Sequence, residues 1–138
     1  SVSAAISEAH HLHQNGQSIK AAELLRTSFE QNGTPRLLDE LERLYTDTGN
    51  NQTIYDMLER LENSSKTSLY VILTLARINL RSGNTEEAQR RLQQMQPESS
   101  NAAASLYHAL RYQLALKLKK PETALEAASQ LTPVNPAN

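Results

Sequence analysis

Small and apolar residues recur along this chain at helical spacing, and the helices they imply recur at a nearly constant interval. Gly16, Gly49 and Gly83, with Lys119 in the corresponding place of a fourth unit, lie 33, 34 and 36 residues apart. Five residues past each anchor stand Ala21, Ile54, Ala88 and Ala124, and nine past stand Leu25, Leu58, Leu92 and Ala128. Twelve past stand Ser28, Leu61, Met95 and Leu131. Four before each anchor come Leu12, Tyr45, Asn79 and Ala115, and seven before come Ala9, Glu42, Ala76 and Tyr112. Most of these columns are apolar or small, as expected for a buried stripe on each of two successive helices. A period of this length with self-similar columns predicts stacked helical pairs.

The pattern predicts eight helices, near residues 3–15, 18–31, 35–48, 51–63, 67–82, 85–96, 101–118 and 121–131. The anchor glycines close first helices by taking the left-handed conformation just past the last turn. Thr34-Pro35 offers a hydroxyl cap followed by Pro at the first helical position. Asn84 with Glu87 three residues on resembles a capping box. Pro121 opens the last helix and Pro97 ends the sixth. Polar turns at Gln31-Asn32-Gly33, Asn63-Ser64-Ser65 and Glu98-Ser99-Ser100 separate the pairs. No period-two alternation of strand length occurs, so no sheet is expected.

Composition agrees with shallow helix-on-helix contacts. Hydrophobic residues make up 38% of the 138, and the aromatics are five Tyr and one Phe. Ala and Leu dominate, and small residues let helices approach closely. A net charge of −1 gives no long-range field toward nucleic acid or an anionic membrane. The absence of Cys excludes disulfides, thiolate metal sites and a Cys nucleophile. No apolar stretch approaches the roughly 20 residues of a membrane-spanning helix, and no signal peptide is visible. The chain opens Ser1-Val2-Ser3, without Met, so a piece of a longer protein is the expectation. The compartment stays open, and attachment to a membrane-anchored parent is among the expectations.

The segment Leu75-Ala76 … Gly83-Asn84 … Glu86-Glu87-Ala88 … Leu92 … Met95 resembles a tetratricopeptide repeat. A large apolar and then a small residue lie midway along the first helix, then a Gly-Asn turn, then a small residue where the helices cross. The first unit keeps Gly16, Ala21-Ala22 and Leu25. The second keeps Leu41, Tyr45 and Gly49 but has Glu42 and Ile54 at usually small places. The fourth lacks the turn Gly and carries Tyr112 at the small position. There Leu106, Leu110 and Leu114 make an equally good stripe, so its first helix has two possible registers. The resemblance implies an all-α fold: one domain over 1–138, built as a right-handed α-α superhelix of four antiparallel pairs (units about 2–34, 35–66, 67–100 and 101–136). It further implies a protein-protein interaction scaffold, of the kind found in bacterial cell-envelope assemblies, that binds a peptide segment or partner protein in a concave groove. The alternatives are an RNA-binding helical-repeat module and an accessory domain of an enzyme lying outside this stretch. Net charge and the lack of a recurring polar base-reading column disfavour RNA.

The resemblance places the first helix of each pair on the concave face. It thereby nominates Ile6, His10, His13, Arg36, Asp39, Arg43, Asp47, Tyr70, Leu73, Arg77, Leu80, Arg81, Gln113 and Lys117 as groove-lining. Arg36, Arg43, Tyr70, Leu73, Arg77, Arg81 and Lys117 form the proposed partner-binding set, with Arg77 and Arg81 as anchors for an acidic or C-terminal segment, since guanidinium forks suit carboxylates. Ile6, Asp39 and Leu73 stand where the carboxylate clamp of chaperone-binding relatives has Lys, so a chaperone tail is not the expected ligand. The chain ends where a following repeat would begin, with Leu131 through Pro136 and no extra capping helix, so the array either continues or packs on another chain. A homodimer through that terminal face is one expectation.

His10-His11-x-His13 places two His on one helix face, and Glu8 shares a face with His11. A metal site needs three or four ligands, and the one remaining His is His108, so no metal or other cofactor is expected. No nucleophile elbow, Walker loop or dinucleotide fingerprint occurs, and the expectation is a non-enzyme with no catalytic residue. Asn-x-Ser/Thr triplets at Asn32, Asn51 and Asn63 read as turns and caps.

Overall fold

The computed structural model describes residues 1–49, 51–95 and 101–131, and these form eight α-helices with no strand among them. The helices are α1 Val2–Gln14, α2 Ser18–Asn32, α3 Pro35–Asp47, α4 Asn51–Glu62, α5 Leu69–Arg81, α6 Thr85–Gln93, α7 Asn101–Lys117 and α8 Pro121–Leu131. Every element expected from the periodicity is present, with ends that move by no more than three residues. Pro97, the turn Glu98-Ser99-Ser100 and the tail from Thr132 onward lie outside the described residues.

Turn chemistry sets where the first helices stop. Gly16 and Gly83 take φ of +79° and +83°, and Lys119 takes +58°. The amide of the next residue reaches back five positions in each case. Gln17 N donates to Leu12 O (2.8 Å), Asn84 N to Asn79 O (2.8 Å) and Lys120 N to Ala115 O (2.9 Å). This 6→1 closure satisfies carbonyls that the helix end would otherwise leave open. Three units thus share one backbone turn although the side chain at its centre is Gly twice and Lys once. The second unit differs. Gly49 does not adopt the left-handed conformation expected of it. There α3 ends through extended Thr48 (φ −113°, ψ 161°), whose amide bonds to Leu44 O. Gly33, which closes the second helix α2, is left-handed at φ +67°.

Caps at the other ends follow the sequence in part. Ser1 Oγ accepts from Ala4 N, and Asn84 Oδ1 accepts from Glu87 N. The capping box at Asn84 is one-sided: the Asn84 amide is committed to Asn79 O, and the Glu87 carboxylate turns to Arg90 and Arg91. Thr34 makes no side-chain cap bond. Pro35 at the first helical position presets the backbone there, so α3 starts without the hydroxyl.

Two compact units emerge, Ser1–Thr74 and Leu75–Asn138, with the division inside α5. The repeat reading places its boundary between residues 66 and 67, ahead of that helix. In the first unit α1 packs on α2, α2 on α3 and α3 on α4, and in addition α1 meets α3 and α2 meets α4. First helices therefore neighbour first helices, and second helices neighbour second helices. Ala21 and Ala22, fully buried, let the backbones cross closely, and Leu25, Phe29, Leu37, Leu41, Ile54 and Leu58 fill the space beside them. In the second unit α7 packs on α6 and α8. Leu75, Ala76 and Ile78 of α5, Ala88 and Leu92 of α6, Leu110 and Ala115 of α7, and Ala124 and Ala127 of α8 are buried. The crossing column Ala21, Ile54, Ala88, Ala124 is buried in all four pairs. In α7 the buried residues are Ala103, Leu110, Leu114 and Ala115, while Tyr112 is half-buried.

Buried charged groups break the apolar pattern at two places, Glu42 of α3 and Arg91 of α6. Arg91 occupies the place of Leu24, Met57 and Ala127 in the other pairs, yet it is 0% exposed. Its Nη1 donates to Asn79 Oδ1 at 3.0 Å and lies 3.3 Å from Glu87 Oε2. Asn79, itself buried, is the polar member of the column otherwise held by Leu12, Tyr45 and Ala115.

Candidate functional site

On the first unit, the exposed faces of α1 and α3 carry a polar chain. His10 Nε2 donates to Glu40 Oε2 at 3.0 Å, and Arg43 Nη1 stands 3.7 Å from the same oxygen. Arg36 Nη1 donates to Ser3 Oγ at 3.4 Å. His13 Nδ1 and Ser18 Oγ share a 2.8 Å hydrogen bond. The two His that face one another in sequence thus find separate partners, and no group of three or more His, Asp or Glu among the described residues is placed to hold a metal. These contacts are solvent-accessible and contribute little to stability, up to about 1 kcal/mol each. Glu40 thus faces both His10 and Arg43.

Two residues nominated for the groove are core instead. Ile6 is buried, and Leu73 is 0% exposed. Leu73 lies in a helix buried nearly all round: Val71, Thr74, Leu75, Ala76, Ile78, Asn79 and Leu80 are buried as well. A helix of that kind has no broad solvent face, and the stripe assigned to the groove is drawn into packing. Tyr70 is half-buried in the first unit, and Asp39 and Asp47 are exposed.

On the second unit five of the nominated residues do come together. Arg77, Leu80 and Arg81 of α5 and Gln113 and Lys117 of α7 line a cavity of about 290 Å³. Arg77 and Arg81 are one turn apart, as are Gln113 and Lys117, so each pair shares a helix face. Leu80, only 2% exposed, forms the floor. The lining holds three cations and no carboxylate. Arg81 and Lys117 each sit in the last turn of their helices. The carbonyl ends there carry partial negative charge, which favours a cation beside them. Among the described residues no helix is long and apolar enough to cross a membrane.

Leu80 was among the residues expected to line the groove and forms the floor of this cavity, whereas the buried Arg91–Asn79 pair was not anticipated. The signal for the latter was available: an Asn in an apolar column and an Arg in another, twelve residues apart across one turn. No family model matches this chain, and no curated protein or solved structure is significantly similar to it.

Proposed function

We propose that this chain is a non-enzymatic protein-binding module, a tetratricopeptide-like scaffold whose basic cavity on α5 and α7 takes an acidic segment of a partner. The carrying observation is the convergence of Arg77, Arg81 and Lys117 around Leu80. Guanidinium forks bind carboxylates in two-pronged fashion, and the apolar floor lowers the local dielectric beneath them. A right-handed superhelix is part of the same proposal. Its support is the alternate packing of α1 on α3 and α2 on α4, together with the shared turn at Leu12, Asn79 and Ala115.

The test is fluorescence anisotropy with a labelled Glu-rich octapeptide, at low and at physiological salt, against the intact protein and the Arg77→Glu/Arg81→Glu double variant. Binding should weaken with salt and fall at least tenfold in the variant, whose fold circular dichroism checks. Equal binding by both proteins sinks the proposal.

A further inference from the structure

A second concavity lies in the same unit, on a different side of α7. The pocket, about 220 Å³, opens between α6, α7 and the start of α8. Leu92, Leu114 and Leu118 supply an apolar floor and the Tyr107 ring a wall. With 3.6 residues per turn, Arg111 and Leu114 share one side of α7, about 100° round from Gln113 and Lys117, and Leu118 follows just past its end. The two concavities therefore use separate surfaces of one helix.

Size and charge decide what would fill it. Small-molecule sites usually measure about 300–1,000 Å³, so this pocket is undersized for one and suits a single large side chain. Buried aromatic or aliphatic anchors in such pockets carry most of the energy of many protein interfaces. The rim holds Arg111 and Lys120 and the lining contains no carboxylate. Arg111 is held in place: it donates to His108 Nδ1 at 3.0 Å, pairs with Glu126 and stands 5.7 Å from the centre of the Tyr107 ring. Lys120 is exposed and makes no ion pair among the described residues, and its backbone is fixed by the bond to Ala115 O. It is thus a positioned cation at the mouth of an apolar pocket.

We infer that this pocket is a second partner-docking site, receiving one Leu-, Phe- or Trp-sized side chain from an acidic segment of a protein partner, with Lys120 engaging a carboxylate beside the anchor. The site is independent of the α5–α7 cavity and does not need that cavity to bind anything.

An array of nonapeptides tests it, with all twenty residues at the centre and either Asp/Glu or Lys/Arg flanks, followed by anisotropy with labelled Trp-, Leu- and Ala-centred peptides. Acid-flanked peptides with large apolar centres should bind, and the Ala-centred one at least tenfold more weakly. Thr123→Trp, which fills the mouth from an exposed position, should reduce binding at least tenfold, and Lys120→Glu several-fold. Arg77→Glu/Arg81→Glu should leave it unchanged, which separates this site from the first. Circular dichroism on each variant confirms the fold. The proposal is overturned by binding that ignores the central residue, by binding that survives Thr123→Trp, or by no acid-flanked peptide binding up to millimolar concentration. Indole-3-acetate binding as tightly as the Trp-centred peptide would reassign the pocket to a small carboxylate. A concentration-dependent dimer abolished by Thr123→Trp would reassign it to a second copy of the chain.

Discussion

Arg91 donates from Nη1 to Asn79 Oδ1 across 3.0 Å in the interior between α5 and α6, where the other helical pairs place apolar side chains. The arrangement joins a buried cation to a buried amide, with Glu87 at the edge supplying the opposite charge. Truncating Arg91 to Ala leaves Asn79 without this donor and opens a large void, and should cost about 3–5 kcal/mol. The paired change Arg91→Met with Asn79→Leu replaces the polar contact by the residue types found at the same places elsewhere in the chain. Well-packed apolar replacements of buried charged groups are often neutral or stabilising by about 1–4 kcal/mol. Urea unfolding of both single variants and the double should therefore show strong non-additivity, with the double near wild type. Additive losses would mean that the two side chains are not energetically coupled.

The shared turn makes a contrast among glycines. At Gly83, with φ of +83°, an added Cβ meets no neighbouring atom within 4 Å, so Gly83→Ala tests backbone conformation alone. It should destabilise by about 1 kcal/mol. Gly49 has the same free space but lacks the left-handed conformation. Gly49→Ala should stabilise by up to about 1 kcal/mol through the unfolded chain. At Lys119, a non-glycine at φ +58°, Lys119→Gly should raise stability by about 0.5–1 kcal/mol. Melting temperatures of the three variants should move down, up and up.

Ala88 is 0% exposed where α6 crosses, with Leu75 and Leu92 buried in the same unit. Ala88→Leu should cost about 1–3 kcal/mol by overpacking, and Leu75→Ala about 2–5 kcal/mol by leaving a cavity. Chemical denaturation measures both. A neutral Ala88→Leu would show that the crossing is looser than its burial implies.

The helices were legible because each carries its own evidence: a periodic stripe, a terminating turn and a proline or polar start. Lys119 shows how far the pattern reaches, since its place in the period, and not its residue type, announces the left-handed turn. Gly49 shows the converse, for a glycine permits the turn without requiring it. The cavity residues were legible in part. Arg77, Arg81 and Lys117 follow from the groove positions that the tetratricopeptide resemblance implies, whereas Leu73 and Ile6 were misplaced because such positions cannot say how many sides of a helix are covered here. That depends on what packs around it, which lies far away in sequence. The pocket beneath Tyr107 and Arg111 was illegible for the same reason, being assembled from three helices.

His108 accepts a hydrogen bond at Nδ1 from Arg111, which can only donate, so the imidazole there is neutral with its proton on Nε2. Partial burial lowers its pKa from the usual 6.5, the adjacent Arg111 charge lowers it further, and Glu126 opposes both. In the window between that lowered value and about 6.5 the unfolded chain binds a proton that the folded chain does not, so stability rises with pH across it. The contribution is complete above about pH 6.5 and is lost as the pH falls through the window toward the folded pKa. Protonation would also abolish the Nδ1 acceptor and set two cations against one another beside the ring of Tyr107, 5.0 Å away. The wild-type protein should accordingly lose more stability than His108→Gln between pH 7 and pH 5, measured as the difference between their urea-unfolding free energies at each pH. Glu126→Gln removes the one charge that favours the imidazolium and should steepen that loss. A difference curve that stays flat over this range, or slopes the other way, would show that His108 is not held neutral by Arg111.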